Sequence, residues 1–559
     1  MGDGRRTAHL NPTLEVLGRA EPRRGDHDWV MRSTTRHAPH GMVASVDHLA
    51  SAAGLAMLRA GGSAADAAIA ASGVLAVTAP HLCGMGGDLF ALVHDPHADR
   101  GAPPAALNAS GRAGSGADAV QLRVEGHTTM PFRLDIRSAP VPGCVDGWLA
   151  LHERFGRLPL ADVLEPAVLY AASGFPASPL LAGAVGLLGD AQGADDLLEH
   201  HPLHHGDLVR RPGVAMALEA VIRHGRAGFY QGPFGEGLLA LGDGEYTPAD
   251  LERPLSDWVE PLCARAWGHD VWTIPPNSQG YLTLLAAAIA EGLALPASPD
   301  DPLWAHLLVE ASRAAAYDRV EVLHEGARAR VEALLEETEV ARRRALIDPE
   351  RRSRLTSAAA PGGTMYLCAV DSDRMGVSLI QSNASNFGTY LFEPTTGIGL
   401  HNRGLGFSLE PGHPAEYGPG RRPPHTLSPA LVTHPDGNLR AVIGTMGGDS
   451  QPQILVQLLA RMLRDDASPA AAVSAPRWVL ANPVANGFDC WTAPDDVIVL
   501  VEDEGEAAWA EGLRSRGHEV ITMPGITGTF GHAQVIEVGA DGLAGAADPR
   551  ALISEAAGY

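Results

Sequence analysis

A threonine preceded by two glycines stands about two thirds of the way along the chain, in the stretch PGGTMYLCAVD (361–371). The Thr364 hydroxyl is a useful nucleophile only when a base takes its proton. If the Gly363–Thr364 bond is cut, the new α-amine, whose reference pKa is about 7.7–8.0, can act as that base on the same residue. Gly363 has no Cβ, so the hydroxyl can approach its carbonyl. The stretch predicts a self-cleaving site with an N-terminal nucleophile; the simpler alternative is a strand residue after a glycine turn.

Acyl transfer also needs hydrogen-bond donors for the developing oxyanion, and a second glycine pair could supply them. Gly447 and Gly448 lie in IGTMGGDSQPQ (443–453), between a predicted strand and a helix that begins near Pro452. Backbone amides in such a turn point toward anions. The alternative is an ordinary strand-to-helix turn. The chain contains no GxxxxGK[ST] nucleotide loop.

Hydrophobic periodicity and turn residues predict the elements that position these glycines and Thr364. Before the double glycine, the chain is mostly helical, with TSAAAPGG (356–363) as a linker and strand-rich sequence after it. Helices are predicted at 48–59, 66–77, 282–290 and 451–464, within a mainly helical region over about 145–345. Strands are predicted at DLFALVHD (88–95), TMYLCAVD, GVSLIQSN, ALVTH, LRAVIGT, DVIVLVED and HAQVIEV.

Two biased stretches carry no clear chemistry. EHHPLHHG (199–206) reads as an exposed histidine-rich loop, because no carboxylate or cysteine stands at metal-ligand spacing beside it. The charged stretch over 325–355 reads as a helical, solvated face, or alternatively as part of an assembly surface. Residues 1–40 are polar and predict a flexible N-terminal arm.

Composition excludes several classes of protein. The 559 residues are 45% apolar and 19% charged, as in a globular protein of two to four domains or one large layered fold. The 42 basic and 66 acidic side chains give a net charge of −24, which excludes a nucleic-acid binder with a basic face. Five scattered cysteines without a CxxC pair are typical of a reducing compartment. We see no signal peptide or apolar run long enough to cross a membrane, so the expected location is the cytoplasm, without a membrane partner.

Several motifs, in order and spacing from about residue 41 to about 550, resemble the γ-glutamyltransferase family of N-terminal nucleophile (Ntn) hydrolases. They are MVASVDHLASAAGLAMLRAGGSAADAAIAA, PHLCGMGGDLFALVHD, VPGCVDGW, PPNSQG, TMYLCAVD, NRGLGFSL, RRPPHTLSPALV and GTMGGDS. The resemblance implies an α+β fold, an αββα four-layer sandwich made as a proenzyme. One composite domain would be cut into a large subunit, 41–363 after the arm, and a small subunit, 364–559. These could assemble further into a dimer of heterodimers.

The same resemblance implies the chemistry. An acyl-enzyme on Thr364 would form from a small-molecule amide and be released by water or by an amine. Gly447 and Gly448 resemble the family's oxyanion pair. Ser382 stands where the family often has a second hydroxyl that orients the nucleophile, with Asn383 beside it as a substrate-binding candidate. No metal and no organic cofactor is implied.

Substrate positions depart from those of the family members that act on glutathione. Leu405-Gly406 replaces the acidic pair that holds the glutamyl amine, and His425-Thr426 replaces a serine pair. The pattern is closer to the subgroup of oxamate amidohydrolase and cephalosporin acylase-like proteins. We therefore expect an amidohydrolase or acyltransferase that is not strictly γ-glutamyl. The alternatives are a true glutathione hydrolase and an uncleaved, non-catalytic binding protein.

Two arginines are candidates for binding a substrate carboxylate, because a guanidinium offers a bidentate fork. Ser110 stands where the members that act on glutathione have their carboxylate-binding arginine, Arg112 follows two positions later, and Arg403 lies in NRGLGFSL. Either could instead brace a loop. His425 could donate a hydrogen bond to the acyl group or be a structural histidine.

Overall fold

The protein is represented by a computed structural model that describes residues 33–199, 201–353, 363–481, 497–525 and 528–559. Two seven-stranded sheets form its centre, and all strand pairs within them are antiparallel. In spatial order, the first sheet comprises Glu555–Gly558, Met42–Ser45, Gly363–Val370, Gly376–Ala384, Asp88–His94, Ala105–Ala109 and Asp257–Val259. The second comprises Arg36–Ala38, Gly542–Ala547, Ala533–Gly539, Leu439–Thr445, Ala430–Thr433, His269–Thr273 and Leu262–Ala266.

The two sheets pack face to face, because alternate side chains of their strands are apolar and point inward. Tyr366, Cys368 and Val370 of the first sheet share one buried cluster with Leu431 and Val442 of the second. The intervening residues of the Thr364 strand face the other way, into the helices.

Helices cover the outer face of each sheet. The first helical layer contains His48–Arg59, Ala64–Thr78, Cys144–Phe155, Leu160–Ser173, Pro179–Val185, Pro212–His224, Arg226–Tyr230 and Pro233–Leu241. The second contains Tyr281–Glu291, Pro302–Ala316, Arg328–Leu334, Glu337–Arg344, Gln451–Leu459, Pro469–Ser474 and Glu511–Ser515. The order is helix, sheet, sheet, helix, so the predicted αββα sandwich is confirmed.

The remaining elements are short. Helices Ala119–Val124, Asp195–Leu198, Pro248–Glu252, Arg319–Val322 and Asp503–Gly505 lie in connections, and Ala460–Arg464 continues Gln451–Leu459 as a π-helix. A three-stranded sheet contains Trp478–Ala481, Ile498–Glu502 and Val520–Met523, and the pairs Phe175–Pro176 with Leu208–Val209 and Phe392–Glu393 with Ile398–Gly399 form two small ribbons.

The alanine-rich helix Ala64–Thr78 is buried on every side and packs against the Thr364 strand. Ser63 caps it: its hydroxyl accepts from the Asp66 amide, and the Asp66 carboxylate accepts from the Ser63 amide. This reciprocal capping box satisfies two backbone donors that would otherwise be buried unpaired. Small side chains let the helix approach closely, which fixes the Thr364 strand from behind.

Three sequence predictions need correction. The arm does not extend to residue 40, because Arg36–Ala38 pairs with Gly542–Ala547 as an edge strand; residues 1–32 lie outside the described part. The region 145–345 is not only helical: it contributes three strands to the sheets, two of which are edge strands with a weak apolar alternation. The charged stretch forms two short helices, Arg328–Leu334 and Glu337–Arg344, and not one long helix; residues 354 and 355 are outside the described ranges.

None of the helices within the described ranges is long and apolar enough to cross a bilayer. Of the histidine-rich tract, His201–Gly206 forms a connecting loop, and residue 200 is not described.

Candidate active site

Thr364 is buried in the middle of the first sheet, at the second position of its strand. The pairing register shifts at this point: Gly363 pairs with Ala384, and Met365 pairs with Gln381. Ser382 and Asn383 therefore lie opposite the single residue Thr364, which is a β-bulge. The bulge brings the Ser382 Oγ to 3.1 Å from the Thr364 Oγ1.

Ser382 is held in place by two donors. The Ala384 amide donates to its Oγ at 2.8 Å, and the Arg403 Nη2 donates to the same oxygen at 3.1 Å. The Thr364 Oγ1 is a further polar neighbour of this oxygen, at 3.1 Å. Ser382 is thus placed to orient the threonine hydroxyl.

Arg403 places a cation beside these hydroxyls. It begins the short 3₁₀ turn Arg403–Gly406 and is almost fully buried. Its Nη1 donates to the Thr426 Oγ1 at 2.9 Å. Burial lowers the pKa of Arg403 to about 10, against the opposing effect of the nearby carboxylates of Asp88 and Asp449. The guanidinium therefore remains charged at neutral pH.

The glycine pair has backbone angles that favour glycine. Gly447 has φ 140° and Gly448 has φ 56°, and the helix Gln451–Leu459 begins just beyond them. Gln279 ties this turn to the arginine: its Nε2 donates to the Gly448 carbonyl at 3.0 Å and to the Thr426 carbonyl at 3.1 Å. Hydrogen bonds thus run from Thr364 through Ser382, Arg403, Thr426 and Gln279 to the glycine turn.

Sequence reasoning missed Gln279 and its support. The Arg319 Nε donates to the Gln279 Oε1 at 3.1 Å, and its Nη2 donates to the Asp449 Oδ1 at 3.0 Å. Gln279 belongs to PPNSQG, one of the motifs that carry the family resemblance, but the sequence predicts no role for this residue. The available signal was the polar end of PPNSQG directly ahead of an apolar helix. Its polar side chains are buried in the structure, and buried amides require hydrogen-bond partners.

His425 lies against a buried carboxylate. Its Nε2 is 3.0 Å from the Asp88 Oδ2, and the Leu427 amide donates to its Nδ1 at 3.2 Å. An Nδ1 that accepts a hydrogen bond carries no proton, so the ring is neutral and donates through Nε2. Burial, followed by the charge of Arg403, lowers the pKa of His425 to about 3. These contacts favour a structural role for His425.

Asp88 is a second residue that the sequence did not reveal as part of the site. Its Oδ1 accepts from the Gly111 amide at 2.8 Å, and its Oδ2 lies 3.4 Å from the His401 Nδ1. Burial alone would raise the pKa of Asp88, but His401 and His425 hold it well below its usual range. Asp88 is thus an ionised anchor behind His425.

Two of the predicted substrate-binding residues, Arg112 and Asn383, bond to segments away from Thr364. The Arg112 Nη1 donates to the Gly420 carbonyl at 3.0 Å and to Glu325 at 3.2 Å, and Asp257 lies 3.5 Å from its Nη2. The Asn383 Nδ2 donates to the Pro80 carbonyl at 3.0 Å. Among the described residues, no hydrogen bond joins either side chain to Thr364. Arg112 braces surface loops, which was the alternative reading, and Asn383 secures the loop behind Ser382.

A cleft of about 1000 Å³ opens beside this network. Leu405 and Gly406, which follow Arg403, line it, and so does Arg319, which supports Gln279. Glu410 is the one acidic residue among the described residues of its wall. Leu405 and Gly406 offer no carboxylate to a substrate ammonium at this point.

Comparisons with known proteins identify the family of the chain. The family model for gamma-glutamyltranspeptidase matches residues 50–558. The oxamate amidohydrolase proenzyme of Klebsiella pneumoniae is 34% identical over 93% of this chain and 98% of its own. The glutathione hydrolase-like YwrD proenzyme of Bacillus subtilis is 33% identical over 91% of this chain and 97% of its own.

A solved structure of a similar protein has the same fold. Cephalosporin acylase from Bacillus halodurans superimposes with a TM-score of 0.86 at 32% identity, over 97% of this chain and 99% of the acylase. The fold is that of the Ntn hydrolases, and the similarity is to the subgroup of amidohydrolases and acylases, as the sequence predicted. The chain is therefore an enzyme, an amide hydrolase or acyltransferase, and it belongs to the γ-glutamyltranspeptidase family.

Proposed function

We propose that this protein is a self-processing amidohydrolase that cleaves a small amide through an acyl-enzyme on Thr364. The observation that carries the proposal is the 3.1 Å approach of the Ser382 Oγ to the Thr364 Oγ1, directly after the Gly363–Thr364 bond. A strand residue without a catalytic role would not need a bulge, a paired hydroxyl and a buried cation. The family membership supports the same role.

In the proposed processing step, the Thr364 Oγ1 attacks the carbonyl carbon of Gly363. The C–N bond breaks, the nitrogen leaves as the free α-amine of Thr364, and the Gly363 acyl group is held as an ester. Water hydrolyses the ester, which releases the Gly363 carboxylate and restores the hydroxyl. The resulting pieces would be 1–363 and 364–559.

The two pieces would stay together after the cut. The Thr364 strand lies between Met42–Ser45 from the large piece and Gly376–Ala384 from the small piece, and the latter strand pairs with Asp88–His94 from the large piece. Cleavage at 363–364 leaves these ladders intact. The large and small subunits would thus share one continuous sheet.

In the proposed turnover, the free amine takes the hydroxyl proton while the oxygen attacks the amide carbonyl of the substrate. Backbone amides of the Gly447–Gly448 turn would stabilise the oxyanion. The amine then passes the proton to the leaving nitrogen, and water, or an acceptor amine, takes the acyl group from Thr364.

The acyl half that we propose carries a carboxylate, as in oxamate, so that oxamate and water would yield oxalate and ammonia. Arg403 supports this, because a buried guanidinium beside the nucleophile favours an anionic acyl group. Leu405-Gly406 argues against a γ-glutamyl ammonium, which would be buried without a carboxylate. The 34% identical relative named an oxamate amidohydrolase supports the same class.

Two experiments test these steps. A denaturing gel and N-terminal sequencing of active wild-type protein should show two chains, one of which begins Thr-Met-Tyr-Leu, whereas Thr364→Ala should give one full-length chain. Cleavage of Thr364→Ala at the same bond would rule out Thr364 as the agent. Ammonia release from oxamate should then exceed hydrolysis of γ-glutamyl-4-nitroanilide. The reverse order would favour a true glutathione hydrolase.

A further inference from the structure

The cleft is larger than a small acyl group and ammonia require. Its volume of about 1000 Å³ is at the upper end of pockets that hold drug-sized ligands. Phe132, Leu405 and Phe407 contribute apolar surface to its wall. A cleft of this size, which shares Arg319 and the Leu405-Gly406 turn with the surroundings of the site, has room for a second, larger half of a substrate.

Arg133 lies in the wall of this cleft without a counter-charge. Its guanidinium carbon is 4.0 Å from the ring centroid of Tyr390 and 4.8 Å from that of Phe132. Stacking on two rings fixes the plane of the guanidinium. The Arg133 Nε is buried without a hydrogen-bond partner, and no carboxylate among the described residues pairs with this side chain.

The other arginines of the wall are already neutralised. Arg123 donates to Glu416 at 2.8 Å, and Arg319 donates to Asp449 at 3.0 Å. Burial lowers the pKa of the Arg133 guanidinium, and Tyr390 acts in the opposite direction. A half-buried cation without a partner has a desolvation cost that an anionic ligand would offset.

Arg133 is also connected to the reacting centre. The Asn402 Nδ2 donates to the Phe132 carbonyl at 3.0 Å, and Asn402 directly precedes Arg403. On its other side, the Leu134 amide donates to the Thr389 carbonyl at 2.8 Å. The segment that carries Arg133 is therefore fixed to the turn that carries the buried cation of the site.

We propose that Arg133 binds a carboxylate on the amine half of the substrate, so that the preferred substrates are amides of an acidic, flat or aromatic amine. This rests on the proposed function, in which Arg403 serves the acyl half and leaves Arg133 to the other half. The apolar wall around Phe132 and Phe407 suits a flat group between the amide and the carboxylate. The substrate class would thus carry an anionic group at each end.

The test uses two amines that differ by one carboxylate, 5-amino-2-nitrobenzoate and 4-nitroaniline, as mimics of the leaving half. Their binding to the processed enzyme is measured by isothermal titration calorimetry for wild type, Arg133→Gln and Arg133→Lys. Wild type should bind the carboxylate-bearing amine at least about tenfold more tightly, the range of one charge-assisted, partly buried pair. Arg133→Gln should erase this preference, and Arg133→Lys should keep part of it.

A matched control is Arg123→Gln, which removes a cation of the same wall that Glu416 already neutralises. In this variant, the ratio of the affinities for the two amines should stay within about threefold of the wild-type ratio, because loss of a more distant charge has only a small effect. The proposal is overturned if wild type shows no preference, if Arg133→Gln retains it, or if Arg123→Gln abolishes it equally. Complete processing of each variant, seen on a gel, confirms that it folds.

Binding of the free amines does not require turnover, so the two proposals can fail separately. A preference that depends on Arg133 in an enzyme that hydrolyses no amide would support the cleft subsite and contradict the proposed function. Hydrolysis of oxamate by an enzyme without the preference would do the opposite. Amides of both amines with oxalic acid then extend the test to kcat/KM.

Discussion

Replacement of Ser382 by alanine should slow catalysis while leaving the fold in place. The partners of the Ser382 Oγ include the Thr364 Oγ1 at 3.1 Å, the Ala384 amide at 2.8 Å and the Arg403 Nη2 at 3.1 Å. The variant removes the partner that orients the nucleophile and leaves two buried donors short of an acceptor.

The magnitude follows from these three contacts. Loss of the hydrogen bond to the nucleophile, together with the freed motion of the Arg403 guanidinium, should raise the activation barrier by about 1–3 kcal/mol, which is about 5- to 150-fold in kcat. The two donors left behind should lower the free energy of unfolding by about 2–4 kcal/mol. The self-cleavage step should slow by a similar factor, because the same hydroxyl attacks Gly363.

The assay is a time course of band conversion on a denaturing gel for processing, followed by ammonia release from oxamate for the mature fraction. Ser378→Ala is the matched control. Ser378 lies on the same strand and face, is equally buried, and bonds to the Tyr366 hydroxyl at 3.0 Å instead of to the nucleophile. It should lower stability by about 1 kcal/mol and leave both rates nearly unchanged. Equal rates for Ser382→Ala and wild type, or an equal loss in Ser378→Ala, would refute the reasoning.

Three further outcomes are expected. Gly447→Ala should reduce kcat at least about tenfold in the oxamate assay, because its φ of 140° is strained for alanine and a Cβ would lie 2.9 Å from the Ser450 Oγ; wild-type activity would contradict this. Lowering the pH from 7 to 5 should lower the free energy of unfolding, measured with urea, by about 2 kcal/mol for each histidine that is buried and neutral. Such a histidine takes up a proton near pH 6.5 only in the unfolded state. A free energy of unfolding that does not change with pH would contradict this. Burial lowers their pKa values to about 3, 3, 2 and 4, for His81, His425, His518 and His532. Arg403→Met should move the acidic limb of the kcat/KM profile to higher pH, because loss of the cation should raise the pKa of the amine that the proposed cleavage would release on Thr364; an unmoved limb would contradict this.

The residues that the sequence could predict are those whose local pattern carries the information. The strands Gly363–Val370 and Gly376–Ala384 were predicted from TMYLCAVD and GVSLIQSN, and the helix Ala64–Thr78 was predicted to within two residues. Motif resemblance placed Ser382 and the glycine pair. Each of these depends on residues close to it in the chain.

The rest could not be predicted because it depends on contacts between distant segments. Arg112 and Arg403 are the same residue type in similar glycine-rich surroundings, yet one meets Glu325 across 213 residues and the other meets Ser382 across 21. The Gln279 Nε2 donates to carbonyls 147 and 169 residues away. No local pattern distinguishes a brace from a catalytic neighbour when partners are so remote.

The charge arrangement explains why one arginine can serve both a substrate and a base. Asp88 is ionised and anchors a neutral His425, so the histidine adds no second positive charge beside Arg403. A buried cation attracts an anionic acyl group and disfavours the protonated form of a neighbouring amine. After cleavage, the new α-amine of Thr364 would lie close to this cation and would thus be neutral at lower pH than an ordinary amine. The same guanidinium would therefore select the substrate and keep the base ready to accept the hydroxyl proton.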